Sequence, residues 1–189
     1  MVASLAPNLV LIGFMGSGKT TIGRLCARSL CYRFVDSDAT IERRTRRTVA
    51  DLFAELGEAE FRRLEQHAVA ELCMRANVVV ATGGGAVLNA ENVAAMKASG
   101  IVVWLSVDPQ ELRRRCGTCE TRPLLADAED ALGRIRSMMA AREPYYARAA
   151  DVRVVTTGLQ RNAAAQRVLE AFHRLAQGWP VVEGRKAHP

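Results

Sequence analysis

One octapeptide, Gly13-Phe14-Met15-Gly16-Ser17-Gly18-Lys19-Thr20, restricts this chain more than any other segment. It fits the pattern G-x-x-x-x-G-K-[ST]. The apolar run Leu9-Val10-Leu11-Ile12 precedes it and reads as a buried strand. The stretch Lys19–Leu30 follows as a helix, with Ile22, Leu25, Cys26, Ser29 and Leu30 on one side. A strand that turns through glycines into a helix aims backbone amides and a positive helix end at one spot, and phosphate oxygens are what such a spot attracts. Glycines let the backbone wrap closely. Lys19 is placed to reach the terminal phosphates of a nucleotide and Thr20 to ligate Mg²⁺. The residues expected on the phosphates are Gly13, Gly16, Ser17, Gly18, Lys19, Thr20 and Thr21.

Strand and helix patterns alternate along the rest of the chain. Arg33-Phe34-Val35, Val78-Val79-Val80-Ala81, residues 101–105 and Val152-Arg153-Val154-Val155 read as further strands. Helical spacing falls at 39–44, 58–76 and 90–99, from Asp108-Pro109 onward, and at 127–142 and 160–177. Asp38 is expected to cap the helix at 39–44 and Thr48 the one leading into Leu52-Phe53. The helix at 127–142 is expected to break before Pro144. This alternation predicts an α/β fold with a five-stranded parallel sheet covered on both faces. Ligands in such folds sit at the carboxyl ends of the strands. Asp36, Asp38 and Gly83-Gly84-Gly85 all follow strand ends.

The 189 residues suit one domain, with a core at about 9–175 and a frayed tail at 178–189. The net charge of +6 raises the question of nucleic acid. The densest basic run, Arg43-Arg44-Thr45-Arg46-Arg47, has no interleaved aromatics and belongs to no nucleic-acid module, so it reads as a solvated helix end. No apolar run approaches bilayer length and the first residues lack a secretory pattern, so a cytoplasmic protein without a membrane partner is expected. Five cysteines at irregular spacing read as reduced thiols. Cys116 and Cys119 form a C-x-x-C pair with no second pair or nearby histidine to complete a zinc set; a disulfide there under oxidising conditions stays open.

Motor ATPases and GTPases carry an aspartate at the end of a hydrophobic strand for Mg²⁺. The strand at 78–81 ends instead in Thr82-Gly83-Gly84-Gly85. Asp36 and Asp38 then serve a metal or an attacking hydroxyl, or cap a helix and nothing more. Residues 115–125 are polar and aperiodic and fit a mobile lid that keeps water from the phosphates. Within it Arg122 either stabilises the transferring group or is a surface arginine.

These pieces together resemble the shikimate kinase family. The resemblance rests on residues 13–23, Asp36-Ser37-Asp38, Ile41-Glu42, Phe61-Arg62-Arg63-Leu64-Glu65, Gly83-Gly84-Gly85-Ala86-Val87, Arg122-Pro123-Leu124-Leu125 and Arg142-Glu143-Pro144-Tyr145-Tyr146. It implies a three-layer α/β/α P-loop kinase fold and an enzyme that moves the γ-phosphate of MgATP to the 3-hydroxyl of shikimate, in aromatic amino acid biosynthesis; no long apolar edge or heptad is left over, so a monomer is expected. It also implies residue roles. Lys19, Asp38 and Arg122 serve catalysis, and Arg115 stacks on adenine beside the phosphate-loop residues. Asp38, Arg62, Gly83, Gly84, Gly85 and Arg142 hold shikimate, and Glu65 orients Arg62. Thr20 and, through water, Asp36 hold Mg²⁺. Val49, Phe53 and Phe61 are either the apolar wall under the ring or plain core. The chain departs from the family at Gln160-Arg161-Asn162-Ala163, where a proline often covers the second face of adenine. A different small-molecule kinase, such as gluconate kinase, would keep Gly18, Lys19 and Thr20 without the set of Arg62, Gly83–Gly85 and Arg142.

Overall fold

Valine, isoleucine and leucine crowd the central strands, and the polar residues at their ends, Asn8 and Ser106, are buried with hydrogen-bond partners. In the computed structural model, which describes residues 6–116 and 130–179, β1 (Asn8–Ile12), β3 (Val78–Ala81) and β4 (Gly100–Ser106) are buried along their whole length. β2 (Arg33–Asp36) and β5 (Val152–Val155) are partly exposed. All five pair in parallel in the order β2-β3-β1-β4-β5, so the apolar strands are the inner three and the mixed ones are the edges.

Side chains alternate across β1 with period two. Leu9 and Leu11 face α1 (Lys19–Leu30) and α7 (Arg161–Ala176), packing with Ile22, Cys26, Val168 and Phe172. Val10 and Ile12 face the other layer, where Val69, Leu72, Met96 and Tyr146 come from α3 (Val49–Met74), α4 (Ala90–Ser99) and α6 (Ala131–Ala149). The result is the expected three-layer α/β/α arrangement. α2 (Ser37–Thr45) packs on α3 over a small cluster of Ile41, Leu52, Phe61 and Ala68. Leu112 of α5 (Pro109–Cys116) packs with Ile135 of α6 and with Phe14. No helix among the described residues is long and apolar enough to cross a membrane. Arg122, Cys119, most of the expected lid and the tail beyond Trp179 lie outside the described residues.

Two local expectations are corrected. Asp36, not Asp38, caps α2; its Oδ1 accepts from the amides of Asp38 and Ala39 at 3.1 and 3.3 Å. Helical geometry starts at Ser37, two residues earlier than the pattern suggested, so Asp38 falls in the first turn. The expected division between the helix that Thr48 caps and the one from Glu58 is present: α3 leaves helical geometry at Gly57, with φ 77° and ψ 169°, and the second part ends at Met74. α6 runs through Pro144 to Ala149. Proline removes one helical hydrogen bond, at about 3 kcal/mol. Burial of Tyr146 and Ala149 on the sheet, at about 1.5–3 kcal/mol for a large side chain, holds the following turn in place.

Asn89 caps α4 by accepting from the amide of Glu91 at 2.8 Å, and its own amide donates to Gln66 on α3 at 3.2 Å. Asn89→Ala is expected to lower unfolding stability by about 1 kcal/mol in a urea titration, and Asn89→Ser by less.

Candidate active site

Register brings the first groups together. Asp36 pairs with Ala81, Ala81 with Leu11, and Leu11 with Val103, so the ends of β1, β2 and β3 form one rim. The chain leaves β1 through Gly13, Gly16 and Gly18, whose φ values of 145°, 77° and 94° suit residues without a side chain. Gly18 is the N-cap of α1, which puts Lys19 and Thr20 in its first turn. Lys19 Nζ donates to the carbonyls of Gly13 and Phe14 at 2.8 and 3.0 Å and so stands over the loop. The Ser17 hydroxyl is buried with no hydrogen-bond partner among the described residues.

Thr20 Oγ1 donates to Asp36 Oδ2 at 2.9 Å, joining α1 to the end of β2. Since Asp36 satisfies the helix end, the Asp38 carboxyl is left to face the cleft. Burial first, then the neighbouring charges of Asp36, Glu65 and Glu42, push the Asp38 carboxyl up to about 6, against the pull of Lys19. Ser37 Oγ accepts from the Gly83 amide at 2.9 Å and ties the turn after β3 to α2.

α3 and α6 bring two arginines to the same cleft. Arg62 on α3 donates to Glu65 Oε2 at 2.8 Å and to Glu58 Oε1 at 2.9 Å. Its guanidinium lies 5.6 Å from the Phe61 ring and 5.7 Å from the Phe53 ring. Glu65 is fully buried, and its Oε1 has no partner among the described residues. Burial raises its carboxyl, although Arg62 and Arg142 oppose the rise. Arg142 enters the cleft from α6 and lies 5.7 Å from the Phe14 ring of the phosphate loop.

One cleft of about 840 Å³ unites these groups. Gly16, Gly18, Lys19, Thr20, Thr21 and Asp36 line it together with Asp38, Arg62, Gly83, Gly84, Gly85 and Arg142. Gly13 and Ser17 belong to the loop's framework and do not line the cleft. Val49, Phe53 and Phe61 are both cleft wall and satellite core. Arg115 lies elsewhere, donating to Glu111 Oε1 at 2.9 Å and to the Thr156 carbonyl at the end of β5 at 3.2 Å.

A family model described as shikimate kinase matches residues 15–173. The chain belongs to the shikimate kinase family. The shikimate kinase of Symbiobacterium thermophilum is 46% identical to it over 172 residues, which cover 90% of this chain and 97% of that one. A solved structure of shikimate kinase from Acinetobacter baumannii in complex with shikimate superposes with a TM-score of 0.86 at 36% identity, covering 91% of this chain and 96% of that one. A gluconokinase from Sinorhizobium meliloti reaches a TM-score of 0.55 at 16% identity, which is a likeness of fold alone.

Within this shikimate kinase family member, three residues near the cleft had been given no role from the sequence. Glu42 lines the cleft, and its Oε1 accepts from the Val49 amide at 3.0 Å, joining α2 to the start of α3. Ser37 stands between two acids that drew attention from it. Tyr146 donates its hydroxyl to the Gly84 carbonyl at 2.6 Å, although an aromatic at a helical position reads as core.

The raised Asp38 carboxyl gives stability a definite dependence on pH. Its folded value is about 6 against an ordinary 3.8, so the folded chain keeps the proton longer than the unfolded one. The stabilisation is full below 3.8 and is lost as pH rises through about 6, and Glu65 acts in the same direction. Urea midpoints are expected to fall across that interval and then level off. Asp38→Asn is expected to flatten the slope.

Proposed function

We propose that this chain is a shikimate kinase that transfers the γ-phosphate of ATP to the 3-hydroxyl of shikimate, giving 3-phosphoshikimate and ADP. The observation that carries this reading is that Asp38, Arg62 and Arg142 share one cleft with the phosphate loop, behind the glycine turn. Shikimate is a small ring with one carboxylate and three hydroxyls. Two guanidinium groups in one cleft suit the carboxylate, and the glycine backbone leaves room for the ring. The nucleotide phosphates would lie along Gly13, Gly16, Ser17, Gly18, Lys19, Thr20 and Thr21, where amides and one ammonium converge.

In the transfer, the 3-hydroxyl oxygen bonds to the γ-phosphorus while the bond from that phosphorus to the β–γ bridging oxygen breaks. ADP leaves with the electron pair of the broken bond. Asp38 accepts the hydroxyl proton, and Lys19 balances charge on the phosphates. Catalysis is mostly positioning and charge neutralisation. Thr20 Oγ1 and Asp36 Oδ2, 2.9 Å apart beside Lys19, are hard oxygen donors that fit Mg²⁺. Thr20 would ligate the ion directly and Asp36 through water. Bound Mg²⁺ would draw charge from the β- and γ-phosphate oxygens. In the same reading Arg122 reaches the transferring group and Arg115 stacks on adenine. The enzyme acts as a cytoplasmic monomer built as one domain over residues 1–189, with no nucleic acid or membrane partner.

ADP release by the purified chain with MgATP is the direct test. Release that depends on shikimate is expected. Release with gluconate but not shikimate would keep the fold and reject the substrate, and release without any acceptor would mark an ATPase. Asp38→Asn is expected to keep ATP binding and lower kcat by about 100-fold or more. In steady-state assays Arg142→Ala is expected to raise the KM for shikimate more than that for ATP. The reverse pattern would assign Arg142 to the nucleotide.

A further inference from the structure

We infer that Tyr146 is a positioning residue for the phosphate acceptor: its hydroxyl fixes the Gly83–Gly85 turn to α6, the helix that carries Arg142. The inference rests on the reading of the cleft as a shikimate site.

The hydroxyl is buried with the rest of the side chain and donates to the Gly84 carbonyl at 2.6 Å, across 62 positions of sequence. Arg142 lies one helical turn earlier on α6, on the same face, so the helix that supplies the guanidinium also supplies the hydroxyl. The phenol gives its proton to the glycine turn. Gly84 and Arg142 both line the cleft.

The ring that carries this hydroxyl is itself held firmly. It stacks on Trp104 with centroids 5.6 Å apart and planes 20° apart. Arg153 lies over Trp104 at 4.4 Å and donates to Ser106 Oγ at 2.9 Å. Tyr146 therefore transmits the position of the sheet to the turn. Burial pushes the phenol up to about 12, so it stays a neutral donor throughout the neutral range.

The glycine turn is gripped from two sides. Ser37 of α2 holds the Gly83 amide and Tyr146 of α6 holds the Gly84 carbonyl. A Cβ placed on Gly84 would stand 3.3 Å from the Met15 amide of the phosphate loop, so the turn has little room to shift that way. Losing the Tyr146 hydroxyl frees the carbonyl and unties the turn from α6, while the ring and its stacking survive.

Tyr146→Phe isolates this bond. The KM for shikimate is expected to rise about tenfold, with kcat and the KM for ATP within about twofold of the unaltered chain. Thermal melting by circular dichroism accompanies the kinetics. A purely structural role would lower the melting temperature and disturb both substrates together, and that result overturns the inference. An unchanged KM for shikimate, beside an active unaltered chain, also overturns it and leaves the functional reading standing. Failure of the unaltered chain to use shikimate removes the functional reading and this inference with it. Tyr146→Leu, which loses stacking as well, is expected to add a fall in melting temperature to the rise in KM.

Discussion

Backbone without side chains at the end of β3 is the constraint around which the cleft is arranged. A Cβ on Gly83 would stand 2.7 Å from Asp38 Oδ1 and would overlap Glu65 Oε1. A Cβ on Gly85 would stand 2.5 Å from both terminal nitrogens of Arg62. No side chain larger than hydrogen fits either place unless these groups move. The approach of two carboxyls and a guanidinium to bare backbone is what concentrates charge in the cleft, and burial there, ahead of the neighbouring acids, raises the Asp38 carboxyl. Burying charge is costly unless it is paired. Glu65 meets this condition with one oxygen on Arg62 and leaves the other toward the glycine turn.

Two clamps hold this arrangement to the sheet. Asp36 holds α2 and the Thr20 hydroxyl at once, so the phosphate loop and the acidic helix share one anchor. Tyr146 and Ser37 hold the glycine turn from two different helices, α6 and α2. The groups that line the cleft therefore come from α1, α2, α3, the turn after β3 and α6, and the parallel sheet sets their relative positions.

What could be read from the sequence followed the range of the interactions involved. The phosphate loop is local: strand, glycines, Lys19 and Thr20 lie within a dozen residues, and the whole motif is visible as a string. The inner strands β1, β3 and β4 were legible because both of their faces are buried, which leaves apolar runs. Arg62 and Arg142 stand eighty positions apart on different helices, so no periodicity joins them and only the family resemblance paired them. The helix start after β2 was misjudged because Asp36, Ser37 and Asp38 are all good capping residues and only backbone geometry separates them. Pro144 misled for a different reason: a local rule about proline gave way to the burial of the residues beyond it. Tyr146 went unnoticed because a buried aromatic on a helix carries no sign of where its hydroxyl points.

The layer formed by α1 and α7 has a consequence for how the chain is made. α1 begins at the phosphate loop, near the start of the sequence, and its apolar face is covered by Ala164, Ala165, Val168 and Phe172 near the end. Until the ribosome has released α7, Ile22, Cys26 and Ala27 have the sheet to pack on but not the neighbouring helix. The loop that reads first in the sequence is thus among the last parts to gain its full support. A nascent chain that stops before α7 presents an apolar helix face beside a sheet, the kind of surface that chaperones bind and that other chains stick to.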